Sequence, residues 1–382
     1  MKRFNKTILM LCMAIAMAGM YASCKKDNSS EDGTPRITYV RVTNPVSSDS
    51  LLVGAGQGQL IAIVGEHLQD AVEIWFNDQR AVLTPTYITA TTILVSVPSK
   101  IPTDINNILK IVFKNGKTLE HKFQVQISKP AVSRMVSEYV NTGDVAIITG
   151  DYFYAPLVVT FTGGATGEIV SIKDKEVQVR VPAGAQPGPI TVKTNFGETE
   201  SEFWFRDNRN IFISGDPHEG WWATYLVTTP GAGNPPKISG NYYHFRKLVK
   251  AWVWDNPEVA GGAADAMPNH AKNIPDEAIL KPELYNFKFE INTLKPYSSN
   301  RIVFNLGLSA EDNNAYAWNP PYDSKGQWNT VIIPFEDVVK SYAVKPVVNP
   351  NGYWSRILVF GPGDLDADIA FDNFRVVPKI NP

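Results

Sequence analysis

The sequence predicts an all-β protein: tandem β-sandwiches, with a larger sandwich at the C-terminal end. Three observations predict it. β-branched and aromatic residues recur in short runs. Gly, Pro and Asn punctuate those runs at short intervals, and long stretches of helical period are missing. The 382-residue chain has two cysteines, so its stability has to come from apolar burial rather than disulfides.

The N-terminus reads as an export segment. Lys2, Arg3 and Lys6 precede an uncharged apolar run from Ile8 to Met20, which is short for a membrane span. Tyr21-Ala22-Ser23-Cys24 follows. Small residues before a cysteine at this place resemble the lipobox of bacterial lipoproteins. The resemblance implies cleavage after residue 23, a diacylglycerol on Cys24 and a lipid anchor in the outer membrane. Cys12 would leave with the leader. The tether, residues 24–34, is polar and short of apolar side chains, with a reach of roughly 20 Å. Its Lys25-Lys26-Asp27 start resembles the surface-export signal of Bacteroidota lipoproteins, which implies an outward-facing protein. Without Lys2, Arg3 and Lys6, 33 basic residues face 38 acidic ones and no basic stripe stands out, so nucleic acid is not an expected partner.

Residues 35–127 form the first predicted module, with strands at Arg36–Val42, 60–65, 72–76, 93–97, 109–113 and 122–127. Asn115-Gly116 predicts a hairpin with positive φ at both positions. Residues 128–206 form the second, with strands at 131–136, 145–149, 158–161, 168–171, 176–181, 188–194 and 201–205. The two modules repeat one pattern. Leu60-Ile61-Ala62-Ile63-Val64-Gly65-Glu66-His67-Leu68 parallels Val145-Ala146-Ile147-Ile148-Thr149-Gly150-Asp151-Tyr152-Phe153. Each alternating run buries one face, and the glycine is read as supplying the turn that ends it. This pattern resembles the IPT/TIG family of immunoglobulin-like domains, which implies two Ig-like β-sandwiches acting as spacers.

Residues 207–382 differ in composition: seven of the nine tryptophans lie after residue 215. Strands are predicted at 242–254, 285–291, 301–308, 328–334, 355–360 and 369–377, with one short helix at 335–342. The reading is a sandwich of jelly-roll type. Gly326-Gln327-Trp328-Asn329-Thr330-Val331 resembles the penultimate region of carbohydrate-binding jelly rolls, and Phe371-Asp372-Asn373-Phe374-Arg375-Val376 resembles their closing strand. The order of parts resembles the surface glycan-binding lipoproteins of Sus-like polysaccharide utilization loci, with a xyloglucan-binding-type C-terminal domain. That resemblance implies a polysaccharide ligand, a β-glucan or xyloglucan-like chain, and SusC/SusD-like partner proteins.

A glycan site needs exposed flat rings for the C–H faces of sugars and polar side chains for their hydroxyls. Trp221 and Trp222 sit in a Pro/Gly segment and point to opposite sides. Trp254 leads into the turn Asp255-Asn256-Pro257, while Trp252, on the same predicted strand face, is expected in the core. The stretch richest in amides and spaced aromatics holds Asn313, Asn314, Tyr316, Trp318, Asn319 and Tyr322. Trp354 follows Asn351-Gly352-Tyr353. Trp328 is expected in the core. Asp255, Asn256, Asn313, Asn314, Asn319 and Asn351 serve equally well as turn residues.

No acid–base motif, nucleophile elbow or zinc signature frames these residues, so no catalytic residue, metal ligand or cofactor is assigned. Asp364-Leu365-Asp366-Ala367-Asp368 is oxygen-rich but lacks the rest of a calcium loop, and reads as a solvated turn. Three functional classes stay open at this point. A glycan-binding protein would show a groove of rings and amides. A glycoside hydrolase or lyase would release product from its ligand. An adhesin would show one broad apolar patch.

Overall fold

The computed structural model describes residues 33–47, 49–220, 223–228, 234–255, 258–307 and 315–379. Cys24 and the export segment, Trp221, Trp222, Asn256, Asn313 and Asn314 lie outside the described residues. The chain divides into two compact units, residues 1–127 and 128–382.

In the first unit, strands Arg36–Val42, Leu60–Glu66 and Thr92–Ser96 make one antiparallel sheet, in that order. Gln79–Arg80, Ala71–Phe76, Ile108–Phe113 and Thr118–Lys122 make a second. Ile61, Ile63, Ile74, Phe76, Leu109 and Ile111 alternate inward from both sheets to form the core. The predicted last strand, 122–127, is two: Thr118–Lys122 closes the hairpin, and Gln124–Gln126 pairs in parallel with Gly54–Gly56. Within the Asn115-Gly116 turn only Gly116 has positive φ, at 78°. Gly116 N–H bonds Phe113 O and Phe113 N–H bonds Lys117 O, so this is a three-residue loop needing one left-handed residue rather than a two-residue turn needing two.

In the second unit, the second sandwich stacks Ala131–Met135, Val145–Asp151, Glu176–Arg180 and Glu168–Lys173 against Leu157–Thr162, Gln186–Thr194 and Gly197–Phe205. It encloses its own core around Ile148, Val159, Phe161, Val177 and Phe205.

The glycines of the repeated motif work differently from expectation. Gly65 and Gly150 lie inside their strands. A Cβ there would fall 2.0 Å from Arg36 O and 1.9 Å from Ala131 O, so each glycine lets the neighbouring strand approach. The turns are made two residues later by His67 (φ 55°) and Tyr152 (φ 63°), after which Leu68 and Phe153 re-enter the cores.

The C-terminal domain has two facing sheets. The first runs Val227–Thr228, Tyr242–Val249, Leu365–Pro378, Tyr285–Thr293, Asn329–Pro334, with Ile211–Ile213 also paired to the long strand. The second runs Glu258–Gly262, Trp354–Val359, Ile302–Gly307, Tyr316–Trp318. Phe287, Phe289 and Ile291 alternate into the core from the first sheet, and Ile302, Phe304, Ile357 and Val359 meet them from the second. The predicted helix appears at Phe335–Lys340. A helix at Asp276–Leu280 and the strand Glu258–Gly262, neither of them predicted, complete the element order.

This arrangement leaves two outward faces. On the first sheet, Lys288 and Glu290 alternate away from the core, but the second sandwich covers them. Glu138 of that sandwich places one carboxylate oxygen 2.6 Å from Lys288 Nζ and the other 2.7 Å from Arg375 Nη2. Glu290 lies 2.9 Å from Arg375 and accepts a 2.7 Å bond from Thr330 Oγ1. Thr330 N–H also bonds Val136 O across the seam. All four charged side chains are buried, and their charges cancel. Trp328 is core, as expected, with Nε1 donating to Pro236 O at 2.7 Å. On the second sheet the outward-pointing residues Trp354, Arg356 and Leu358 carry the surface described next.

A candidate ligand platform on the C-terminal domain

The strand predicted over 242–254 ends at Val249. Beyond it Trp252 N–H bonds Gly361 O at 3.0 Å, Ala251 N–H bonds Asp364 Oδ1 at 3.1 Å, and Trp252 itself sits at φ 56°. The strand's core-facing residues are Tyr243, Phe245 and Val249, so the even-numbered face that Trp252 and Trp254 continue points away from the core. Contrary to expectation, left-handed Trp252 is 55% exposed, with Trp254 at 53%. A tryptophan in that conformation costs about 1–2 kcal/mol relative to extended backbone, the kind of local strain that collects at functional surfaces.

Both indoles are set by Phe360, which lies one residue beyond the end of the strand Trp354–Val359. Its ring meets Trp252 edge-on at 5.4 Å and Trp254 at 5.6 Å. The Arg301 guanidinium lies over Trp252 at 5.6 Å, and that of Arg356 lies over Trp254 at 5.3 Å and over Trp354 at 5.1 Å. Arg301, Trp252, Phe360, Trp254, Arg356 and Trp354 thus follow one another as a chain of ring and guanidinium contacts. Lys247 Nζ holds Asp255 at 3.0 Å, and Lys250 holds Asp364 at 2.6 Å, a bond that keeps the Asp364 carboxyl below the usual range.

Of the predicted site residues, the structure brings Trp254 and Asp255 to this surface. Trp354 belongs to its floor: at 1% exposed it lies beneath Arg356, and its ring is not free to stack on a ligand. The amide-rich stretch turns its rings inward, a correction with a simple cause. In the strand Tyr316–Trp318, alternation sends Tyr316 and Trp318 toward the core and Ala317 outward. Tyr316 stacks on Phe304 at 6.4 Å, and Trp318 meets Phe289 at 5.4 Å and Tyr322 at 5.1 Å. Tyr322 accepts a 3.1 Å bond from Asn329 Nδ2. Asn319 is exposed with its amide turned to Ala317 O, and Asn351 donates its backbone N–H to Asn349 Oδ1, so Asn349 rather than Asn351 caps that turn.

Sequence reasoning missed Trp252, Phe360, Arg301 and Arg356. Phe360 had a signal: it shares strand parity with Trp354, Arg356 and Leu358 and stands before Gly361-Pro362-Gly363. The aspartates at 364–368 begin a strand rather than a turn. Asp364, Asp366 and Asp368 pair with Lys250, Lys295 and His244. Among the described residues no group of three or more His, Cys, Asp or Glu side chains could hold a metal ion.

The platform is open. Two concavities of the second unit lie elsewhere: one of about 580 Å³ along the seam beside Tyr139 and Trp328, and one of about 370 Å³ lined by Asn210, Asp216, Ser239, His270 and Asn373. An open row of rings suits an extended chain that lies across it, rather than a small molecule that must be enclosed.

Residues 205–378 match the family model of the surface glycan-binding protein B xyloglucan-binding domain. That match spans 174 of the 382 residues and nearly the whole C-terminal domain. The fold agrees along the chain. The crystal structure of a surface glycan-binding protein B from Prevotella bryantii is 23% identical, covers 91% of this chain and 99% of its own, and superposes with a TM-score of 0.69. That of the protein from a complex xyloglucan utilization locus in Bacteroides uniformis is 18% identical, covers 91% and 100%, and gives 0.52. An IPT/TIG domain-containing protein of Bacteroides ovatus is 29% identical over 138 residues, which is 35% of this chain. This chain matches 28% of that curated relative's length. The all-β architecture of Ig-like sandwiches leading to a larger C-terminal sandwich is therefore a fold this chain shares with those two structures.

Proposed function

We propose that the protein is a non-catalytic polysaccharide-binding lipoprotein. It is held in the outer membrane by a lipid on Cys24 and faces outward, and it passes captured glycan to SusC/SusD-like uptake proteins. The observation that carries the reading is the pair of half-exposed indoles, Trp252 and Trp254, fixed by Phe360 on a surface glycan-binding protein B-type domain. The two Ig-like sandwiches serve as spacers between anchor and platform. Trp221 and Trp222 remain proposed contributors to the same site.

Rings at fixed spacing suit stacking on extended β-glucan or xyloglucan chains. By analogy with base stacking, each contributes about 1–3 kcal/mol, which for two rings, less the cost of ordering the chain, corresponds to micromolar to millimolar binding. Affinity electrophoresis through gels holding xyloglucan or mixed-linkage β-glucan tests this. Retardation that is lost in Trp252→Ala/Trp254→Ala, with no product released, is the expected result. Retardation unchanged in the double variant would place the site elsewhere, and product release would make the protein an enzyme.

A further inference from the structure

Away from the platform, the strand Ile211–Ile213, the long strand Leu365–Pro378 and Tyr139 of the second sandwich meet around the cleft of about 370 Å³. Three carboxamides line it, and the fold uses the same half of each. Asn210 Nδ2 donates to Val376 O at 2.9 Å, Asn273 Nδ2 to Ile211 O at 2.6 Å, and Asn373 Nδ2 to Ser239 Oγ at 2.7 Å. None of the three Oδ1 atoms has a hydrogen-bond partner among the described residues, and none is sealed from solvent. Asn373 is 3% exposed, so a buried side chain holds its free oxygen in place. Asp216, whose Oδ2 accepts the Asn241 N–H at 2.7 Å, adds a carboxylate to the wall. Ser214 Oγ accepts the Asp216 N–H at 3.1 Å and keeps its own hydrogen to give.

An amide left to solvent offers both donors and an acceptor. Here the donors are spent inside the fold and the acceptors remain, so the cleft calls for a ligand that gives hydrogens. Sugar hydroxyls give them, and each also accepts, which the Ser214 hydroxyl answers. The chemistry complements that of the platform, which offers flat rings to C–H faces. The cleft also differs in shape: its volume falls in the range of small-molecule sites, about 300–1,000 Å³, rather than forming a track for an extended chain. A hard cation would take oxygens too, but it needs about six to eight of them with charge to match. Asp216 is the only carboxylate lining the cleft among the described residues.

We propose that this cleft is a second saccharide site, which takes one neutral sugar unit through hydroxyls donated to Asn210, Asn273, Asn373 and Asp216. The unit is a free small sugar or the end of a chain. The site shares no residue with the platform, so either one can fail without the other.

The test removes the platform rings first. Full-length Trp252→Ala/Trp254→Ala protein in detergent micelles is titrated calorimetrically with glucose, cellobiose and cellohexaose. Binding with a Kd of about 1 mM is expected. Similar affinity for glucose and cellohexaose assigns the end of a chain, and binding of glucose and cellobiose without cellohexaose assigns a free sugar. Asn208 lines the cleft, is exposed and makes no side-chain hydrogen bond among the described residues. Adding Asn208→Trp therefore fills the cleft without removing a bond, and should weaken binding by at least about tenfold. Adding Asp216→Asn instead should weaken it less. Absence of binding by all three sugars, or binding unchanged by Asn208→Trp, overturns the proposal. Heat from calcium chloride that Asp216→Asn abolishes, with none from the sugars, makes the cleft a cation site and overturns it as well. Thermal unfolding of the Asn208→Trp protein, expected to match its parent, separates a filled cleft from a lost fold. The platform is read separately, by gel retardation of the wild type against the double variant.

Discussion

On the outward face of the strand Tyr285–Thr293, Lys288 and Glu290 are sealed beneath another sandwich. On the outward face of the strand Trp354–Val359, Arg356 stands beside two half-exposed indoles. The same domain buries charge on one sheet and exposes large apolar rings on the other, the reverse of the usual arrangement on both. At the seam, burial is tolerated because every charge has an opposite partner within 2.9 Å. At the platform, large rings stay half exposed on the surface proposed to bind glycan. The difference teaches how to tell stability from function here. A seam residue should cost folding when removed, a platform residue affinity.

The largest effect is expected at the seam. Glu138→Ala leaves Lys288 and Arg375 buried with only Glu290 between them, and should destabilise by about 3–5 kcal/mol. Urea unfolding would show it in the transition that includes the C-terminal domain. A loss below about 1 kcal/mol would mean the cluster behaves as an exposed one.

Trp354 sharpens the comparison, because it belongs to the platform's row yet is buried. Trp354→Ala should cost about 3–5 kcal/mol of stability, whereas Trp252→Ala should change stability by less than about 0.5 kcal/mol and weaken glycan binding. If the two variants behave alike in thermal unfolding, the division between floor and platform is wrong.

A further expected effect is one of pH. Asp372 stands opposite Glu290 in the strand register, and burial pushes its carboxyl up to about 8, with Asp216 and Glu290 adding to the rise. Hydrogen bonds from Ser239 at 2.8 Å and from Asn373 N–H at 2.9 Å oppose it without cancelling it. The folded state keeps a proton that the unfolded chain releases near the ordinary aspartate range. This contribution is complete below about pH 4 and is lost as pH rises through about 8, at up to about 1.4 kcal/mol per unit. Stability measured between pH 5 and 8 should therefore fall with rising pH, and Asp372→Asn should flatten that fall. A wild-type profile that rises over this window would contradict the assignment.

Much of the architecture was legible in the sequence because alternation and turn residues are local signals. The runs at 60–65 and 145–149 are strands, and Phe287, Phe289 and Ile291 do face one core. The reading failed where a tertiary contact decided the outcome. Gly65 looked like a turn residue, and only the approach of Arg36 shows otherwise. Trp252 and Trp254 looked like one face of a strand that in fact ends at Val249, before either of them. Tyr316 and Trp318 sat in loop-like composition but form the short edge strand whose parity turns them inward. No local pattern announces that Glu138 answers Arg375, since the two meet only once two domains have packed.

That last pairing has a consequence for building chimeras. Chains of this architecture look modular, and a cut near residue 206 would seem a clean place to graft the C-terminal domain onto another spacer. The graft would carry Lys288, Arg375 and Glu290 but leave Glu138 behind, so the new joint would enclose one excess positive charge. A working transplant has to bring a carboxylate at the position of Glu138, or replace one of the two cations, before the transferred domain can sit on a foreign support.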